Sequence, residues 1–266
     1  MTPSGRRVLI AGALLVALAA GGIAAYFSTG GVAPNPAWRL VSLLSTMRSP
    51  DGRVLIEGFY DDVRPFTREE RAVLDALPAD VPRVLATLGA STLDTPVDRG
   101  LNERLSAWPT LSINTLTCED AGEHRTVIPS VAVAGCDVRM VDDQRSAGMY
   151  DLIRRHVARV APDIEVVADA AMEPSRTPLS APYLDAVRQG VEAGFGGEPL
   201  VVPSLGGSLP LHTFTGVLGL PCYGVPLANV DEANHAPNEN LELWRFYAGI
   251  RASVGVLTAL ARSSGT

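Results

Sequence analysis

Between Met172 and Ala181 the sequence gathers Pro174, Ser175, Thr177, Pro178 and Ser180 into one short run. Proline lacks a main-chain donor and hydroxyl side chains compete for main-chain bonds, so such a run ends regular structure and separates two folded parts. The patterns on its two sides differ. Before it come Leu111 to Leu116 and Thr126 to Val141, both strand-like, and a helical stretch from Tyr150 to Val160 that puts Leu152, Ile153, His156, Val157 and Val160 on one face. Ile164 to Val167 adds a short strand. After it, helix alternates with short apolar runs: a helix from Pro182 to Phe195, a strand Leu200 to Pro203, a helix Leu209 to Leu218, a strand Pro221 to Ala228 and a long helix Glu239 to Arg262. The first pattern is that of a split βαβ layer lacking its first strand, and the second that of an α/β sheet.

Local signals sharpen the first part. Asn35-Pro36 supplies an N-cap and a first-turn proline for a helix to Met47, with Trp38, Leu40, Val41 and Leu44 as its expected buried face. Arg53 to Phe59 reads as a strand. Thr67 and Glu70 have the spacing of a capping box for a helix to Leu77. The stretch Ala79 to Pro109 reads as an irregular insertion with one short helix at Val81 to Leu88.

The amino terminus carries Arg6-Arg7 and then an uncharged run, Val8 to Phe27, rich in Ala, Leu and Gly. Its length suits a bilayer crossing and its composition suits a helix, so a membrane anchor or a signal segment through residues 8–27 is one expectation. A spurious reading frame upstream of a truncated gene is the other. Elsewhere the formal charge of -7 is spread without basic clusters, which argues against nucleic acid as a partner. Cys118, Cys136 and Cys222 lie far apart and are odd in number, the pattern of free thiols in a reducing compartment.

Two stretches can carry chemistry. Gly206-Gly207-Ser208-Leu209-Pro210 is a glycine turn whose amides can cradle a carboxylate, or simply a tight turn closed by Ser208. His235, in Asn234-His235-Ala236-Pro237-Asn238-Glu239-Asn240, precedes a helix and is a metal-ligand candidate or a structural histidine. Both follow strand-like runs, which on an α/β sheet puts them at the edge where ligands bind.

Together with Asp51-Gly52-Arg53-Val54, Gly58 to Val63, Arg125 to Pro129 and Asp137-Val138-Arg139, these stretches resemble the dinuclear zinc peptidases of metallopeptidase family twenty. That family includes carnosinase, carboxypeptidase G, aminoacylase and succinyl-diaminopimelate desuccinylase, and the resemblance is to its dipeptidase branch. It implies an α/β protein: a split βαβ (ferredoxin-like) lid, or dimerisation, domain followed by the C-terminal portion of a zinc-peptidase α/β domain. The expected division is an apolar segment 1–29, a lid 30–172, a linker 173–181 and a catalytic-domain part 182–266. The resemblance matches His235 to a zinc ligand, Gly206, Gly207 and Ser208 to the loop that receives substrate, and Thr126 and Arg139 to lid residues that contact substrate. It implies two zinc ions, a homodimer through the lid, peptide or N-acyl amino acid substrates, and a cytoplasmic setting unless residues 8–27 anchor the chain. The family's other ligands, in an HxD motif, a Glu-Glu pair and two further aspartates, precede its lid. No His, Asp or Glu precedes Gly30 here, and Ala25 stands where the family has a lid histidine. The chain is therefore expected to be inactive by itself, with no catalytic residue assigned and zinc not held tightly.

Overall fold

The apolar amino-terminal run is a strand where it is described, β1 (Ala13–Ala19), and not the helix that its composition favours. The computed structural model describes residues 13–19, 32–94, 99–118, 128–229 and 231–263. β1 lies inside a four-stranded sheet with β2 (Thr110–Cys118), β3 (Val131–Arg139) and β4 (Glu165–Ala168), in the order β2-β3-β1-β4. It pairs antiparallel with β3 from Ala13↔Asp137 to Ala19↔Val131, and with β4 from Leu14↔Ala168 to Ala17↔Glu165. The helix preference of Ala and Leu is worth less than about 1 kcal/mol per residue. A central strand bonds along both edges, and that pairing outweighs the preference. The split βαβ layer thus has its first strand, and seven of the residues expected to span a membrane belong to a sheet. Among the described residues no helix is long and apolar enough to cross a membrane. Ala25 lies outside the described residues.

The described residues divide into two compact units, each taken by itself here. The first comprises Met1–Pro65, Pro78–Ser175 and Ser204–His212, and the second Phe66–Leu77, Arg176–Pro203 and Thr213–Thr266. In the first unit α1 (Pro36–Met47) starts as its cap signals require, since the Asn35 side chain accepts from the amides of Ala37 and Trp38. Its buried face is Leu40, Leu43, Leu44 and Met47, while Trp38 is 71% and Val41 40% exposed. The expected face was rotated, because the stripe is set by the sheet that α1 meets rather than by its bulkiest side chain. α3 (Val81–Leu88) forms as expected, and α4 (Leu101–Ala107) adds a helix within the stretch read as irregular. α5 (Ser146–Val160) lays Met149, Ile153, His156 and Val157 into the same core, against Ala132, Ala134 and Cys136 of β3. Burial pushes the Cys136 thiol up to about 11, so it is a packed apolar group rather than a nucleophile. All three cysteines are free, Cys118 and Cys222 being only partly buried.

Arg53 to Phe59 is not a strand. It makes one isolated bridge, Arg48↔Val54, and then turns. The Val54 amide, which a ladder would have used, donates to the Tyr60 hydroxyl at 2.8 Å, while Val54, Ile56 and Phe59 fill the core. Apolar content thus signalled burial without signalling a pairing partner.

His156 shows how a titratable group is accommodated in this core. The Thr46 hydroxyl donates to the Leu43 carbonyl at 2.7 Å, so it accepts from His156 Nε2 at 2.8 Å, and Nδ1 accepts from Arg159 at 3.3 Å. That pattern needs a neutral ring. Burial first, and the Arg159 charge second, lower its pKa below the ordinary 6.5. The unfolded chain therefore binds the proton at higher pH than the folded one does. The stability contributed is complete above about pH 6.5 and is lost as pH falls through the folded pKa. His156→Gln is expected to flatten the fall in melting temperature between pH 7 and pH 5. An unchanged pH slope in that variant would reject the assignment.

In the second unit α2 (Arg68–Ala76) has the full capping box: Glu70 N to Thr67 Oγ1 at 3.2 Å and Thr67 N to Glu70 Oε2 at 2.8 Å. α6 (Leu184–Phe195) and α7 (Leu243–Ser263) pack directly on each other through Ala186, Gly190 and Gly194 on one side and Ala248 and Ala252 on the other. Leu200 to Pro203 and Pro221 to Ala228 form no ladder among the described residues, and the expected helix at Leu209 to Leu218 is a single π turn, Thr213–Val217. A strand exists only by pairing, so a strand-like run without a neighbouring strand stays open.

Candidate functional site

Arg139 closes β3. Ala132, Ala134 and Cys136 are buried in the core, and alternation puts Asp137 and Arg139 on the opposite face. Burial raises the Asp137 carboxyl pKa, and the Arg139 charge works against that rise. The Arg139 guanidinium is exposed and has no ion-pair or hydrogen-bond partner among the described residues.

The Gly206 loop belongs to the same unit and lies against that guanidinium. A Cβ added at Gly206 would stand 2.5 Å from the Leu105 carbonyl oxygen and 2.8 Å from Arg139 Nη1, so only glycine allows the approach. Gly207 donates its amide to the Leu205 carbonyl at 2.9 Å within the turn. The amides of Gly206 and Ser208 find no acceptor among the described residues. One arginine and two open amides beside a glycine suit a carboxylate: the guanidinium offers a planar pair of donors and the amides add neutral ones.

The sequence reading passed over His212. Its Nδ1 lies 3.1 Å from the Pro174 carbonyl, which can only accept, so Nδ1 donates there. No local pattern marked it, because Pro174 lies 38 residues away. Thr126 lies outside the described residues.

His235 belongs to the second unit. Its side chain is exposed and its backbone is left-handed, with φ 60°, between Ala233 at 55° and Asn238 at 67°. Such a conformation costs a non-glycine residue about 1–3 kcal/mol, so the surroundings must impose it. They do so through Asn229 and Asn240. Asn229, 5% exposed, donates to Asp231 Oδ1 at 2.8 Å and to Asn240 Oδ1 at 2.9 Å, and accepts from the Glu242 amide at 3.0 Å. Asn240 donates to the Asp231 and Asn238 carbonyls at 3.0 and 3.2 Å.

Among the described residues no three His, Cys, Asp or Glu side chains gather as metal ligands do. The described residues do not by themselves fit a dinuclear centre.

The four-stranded sheet β2-β3-β1-β4 and its helices make this a mixed α/β fold. No family model matches the chain. It is 27% identical over 230 residues to the Cys-Gly metallodipeptidase of Schizosaccharomyces pombe, covering 84% of this chain and 48% of that protein. Among solved structures, an M20 family metallo-carboxypeptidase from Sulfolobus solfataricus superposes with a TM-score of 0.83 at 29% identity, over 92% of this chain and 57% of that one. Human carnosine dipeptidase 1 shares the fold, with a TM-score of 0.79 at 21% identity over 94% of this chain and 55% of that one. The chain is thus similar in sequence and fold to the family-twenty metallopeptidases, dipeptidases among them, and spans about half the length of the curated relatives it matches.

Proposed function

We propose that this chain is the C-terminal part of a dinuclear-zinc hydrolase of dipeptides or related amides, and that its own contribution is to hold the carboxylate end of the substrate. The observation that carries the reading is the Arg139 guanidinium, which makes no ion pair or hydrogen bond among the described residues, has the Asp137 carboxyl as its electrostatic neighbour and lies against Gly206. Arg139 binds the carboxylate in a bidentate way, and the Gly206 and Ser208 amides complete the cradle. Thr126, matched by motif alone, contacts the same substrate. His235 is the single matched ligand position, and with one imidazole the chain is expected to hold zinc weakly and to cleave nothing by itself.

Calorimetry on the purified chain with cysteinyl-glycine is expected to show weak binding, reduced about tenfold or more by Arg139→Gln, in line with the loss of the bidentate charge-assisted pair for a single neutral bond. Equal binding by both proteins would remove Arg139 from the site. Zinc-dependent hydrolysis by the chain alone would overturn the inactive part of the reading.

The lid is also proposed to pair with a second copy of this chain. Edge strand β2 supports this, since Ile113 and Leu116 on it are half exposed and its outer edge pairs with no other strand among the described residues. Light scattering on the same sample checks it, and a monomer would reject it.

A further inference from the structure

We infer that Asn229 and Asn240 are positioning residues for His235, a buried amide and its partner that hold the loop between them in the one backbone shape from which His235 projects. The inference rests on His235 occupying the family's ligand position. The hydrogen bonds of the pair are not something the matched motifs require: Asn229 lies outside every one of them, and Asn240, the last residue of the His235 motif, is used here for its side-chain bonds.

The hydrogen-bond inventory carries the argument. Both Nδ2 hydrogens of Asn229 are used, on Asp231 and Asn240, and its Oδ1 takes the Glu242 amide just before α7. Both Nδ2 hydrogens of Asn240 are used, on two carbonyls of the same loop, and its own amide donates to the Glu232 carbonyl at 2.9 Å. The two amides therefore tie both ends of the loop to each other and to the start of a 21-residue helix. A loop that merely connected two elements would relieve its left-handed positions with glycine. This one keeps Ala233, His235 and Asn238 there, which persists only where the surroundings over-determine the backbone. A helix start needs only a nearby Ser, Thr, Asp or Asn as a cap. Here the oxygen of Asn229 instead holds the amide of Glu242, the residue before α7, so the His235 segment is anchored to the foot of the helix by the same side chain.

The test uses the full chain labelled with 15N and 13C. It contains four histidines, so His235→Gln assigns the His235 ring signals. The wild-type chain is expected to give one set of His235 ring signals. Asn229→Ala and Asn240→Ala are each expected to split or broaden that set, together with the amides of residues 233–238, while the His156 ring signals and the α7 helicity by circular dichroism stay at wild-type values. Asn240→Asp keeps an acceptor for Asn229 but loses both donors, and is expected to fall between. Wild-type His235 signals in both alanine variants would overturn the inference. If Asn229→Ala unfolds the unit, Asn240→Ala decides alone, because Asn240 is exposed. Zinc added to the wild-type chain separates the two readings: a His235 ring that does not respond at millimolar zinc removes the ligand assignment, while the ring and amide signals of the variants still decide the clamp.

Discussion

Replacing Gly190 and Gly194 together by alanine is expected to cost the α6–α7 unit roughly 3–5 kcal/mol, a large share of the stability of an ordinary domain. Helix propensity alone predicts the opposite, a gain of about 1 kcal/mol at each site. Packing decides the sign. A methyl group at Gly190 would stand 2.5 Å from Val256 Cα, and one at Gly194 2.6 Å from Ala252 Cα, with the main-chain nitrogens closer still. A side chain in the way could rotate, but main-chain atoms of a helix cannot, so the helices would have to separate along the whole contact. The four-residue spacing of Ala186, Gly190 and Gly194 on α6 faces Ala248 and Ala252 on α7, and each added methyl opens the same seam. Urea unfolding followed at 222 nm measures the loss. Gly148→Ala on α5 is the control, since nothing lies within 4 Å of its added methyl, and it is expected to be neutral or stabilising. A double variant as stable as the wild-type chain would show that the two helices are not in main-chain contact.

The second large effect concerns Arg176 and Glu70, an ion pair at 2.6 Å whose side chains are only 8% and 6% exposed. Arg176→Met leaves the Glu70 carboxylate buried without its guanidinium, which typically costs about 3–5 kcal/mol. The variant Glu70→Gln with Arg176→Met is expected to recover most of that loss. A glutamine at position 70 can still reach the Thr67 amide and keep the capping box, and no charge is left buried. Denaturant midpoints of the wild-type, single and double variants give the answer. A single variant within 1 kcal/mol of wild type would mean that the pair is solvated and the burial argument wrong.

These two contacts differ in how far sequence could anticipate them. The Thr67–Glu70 box was legible because both partners lie within one helical turn. Arg176, the buried partner of the same glutamate, is more than 100 residues away and carried no local mark. Asn35 and Pro36 fixed where α1 begins, yet the buried face of α1 came out as Leu40, Leu43, Leu44 and Met47. The motifs named Arg139 and Gly206 in the first unit and His235 in the second. The approach of Arg139 to Gly206, the bond from the Gly207 amide to Leu205, the orientation of His212 and the amide clamp around His235 all came from folding.

By itself, then, the sequence determined the caps, the alternation that makes β3 one-sided, and the motifs that relate this chain to the metallopeptidases. Each of these depends on residues a few positions apart, or on an order of motifs. Only the tertiary structure decided that Ala13–Ala19 is a strand and that Arg53 to Phe59 is not. The reason is the same in both cases. A helix satisfies its main chain from within, whereas a strand depends on which distant segment lies beside it, and composition carries no record of that neighbour.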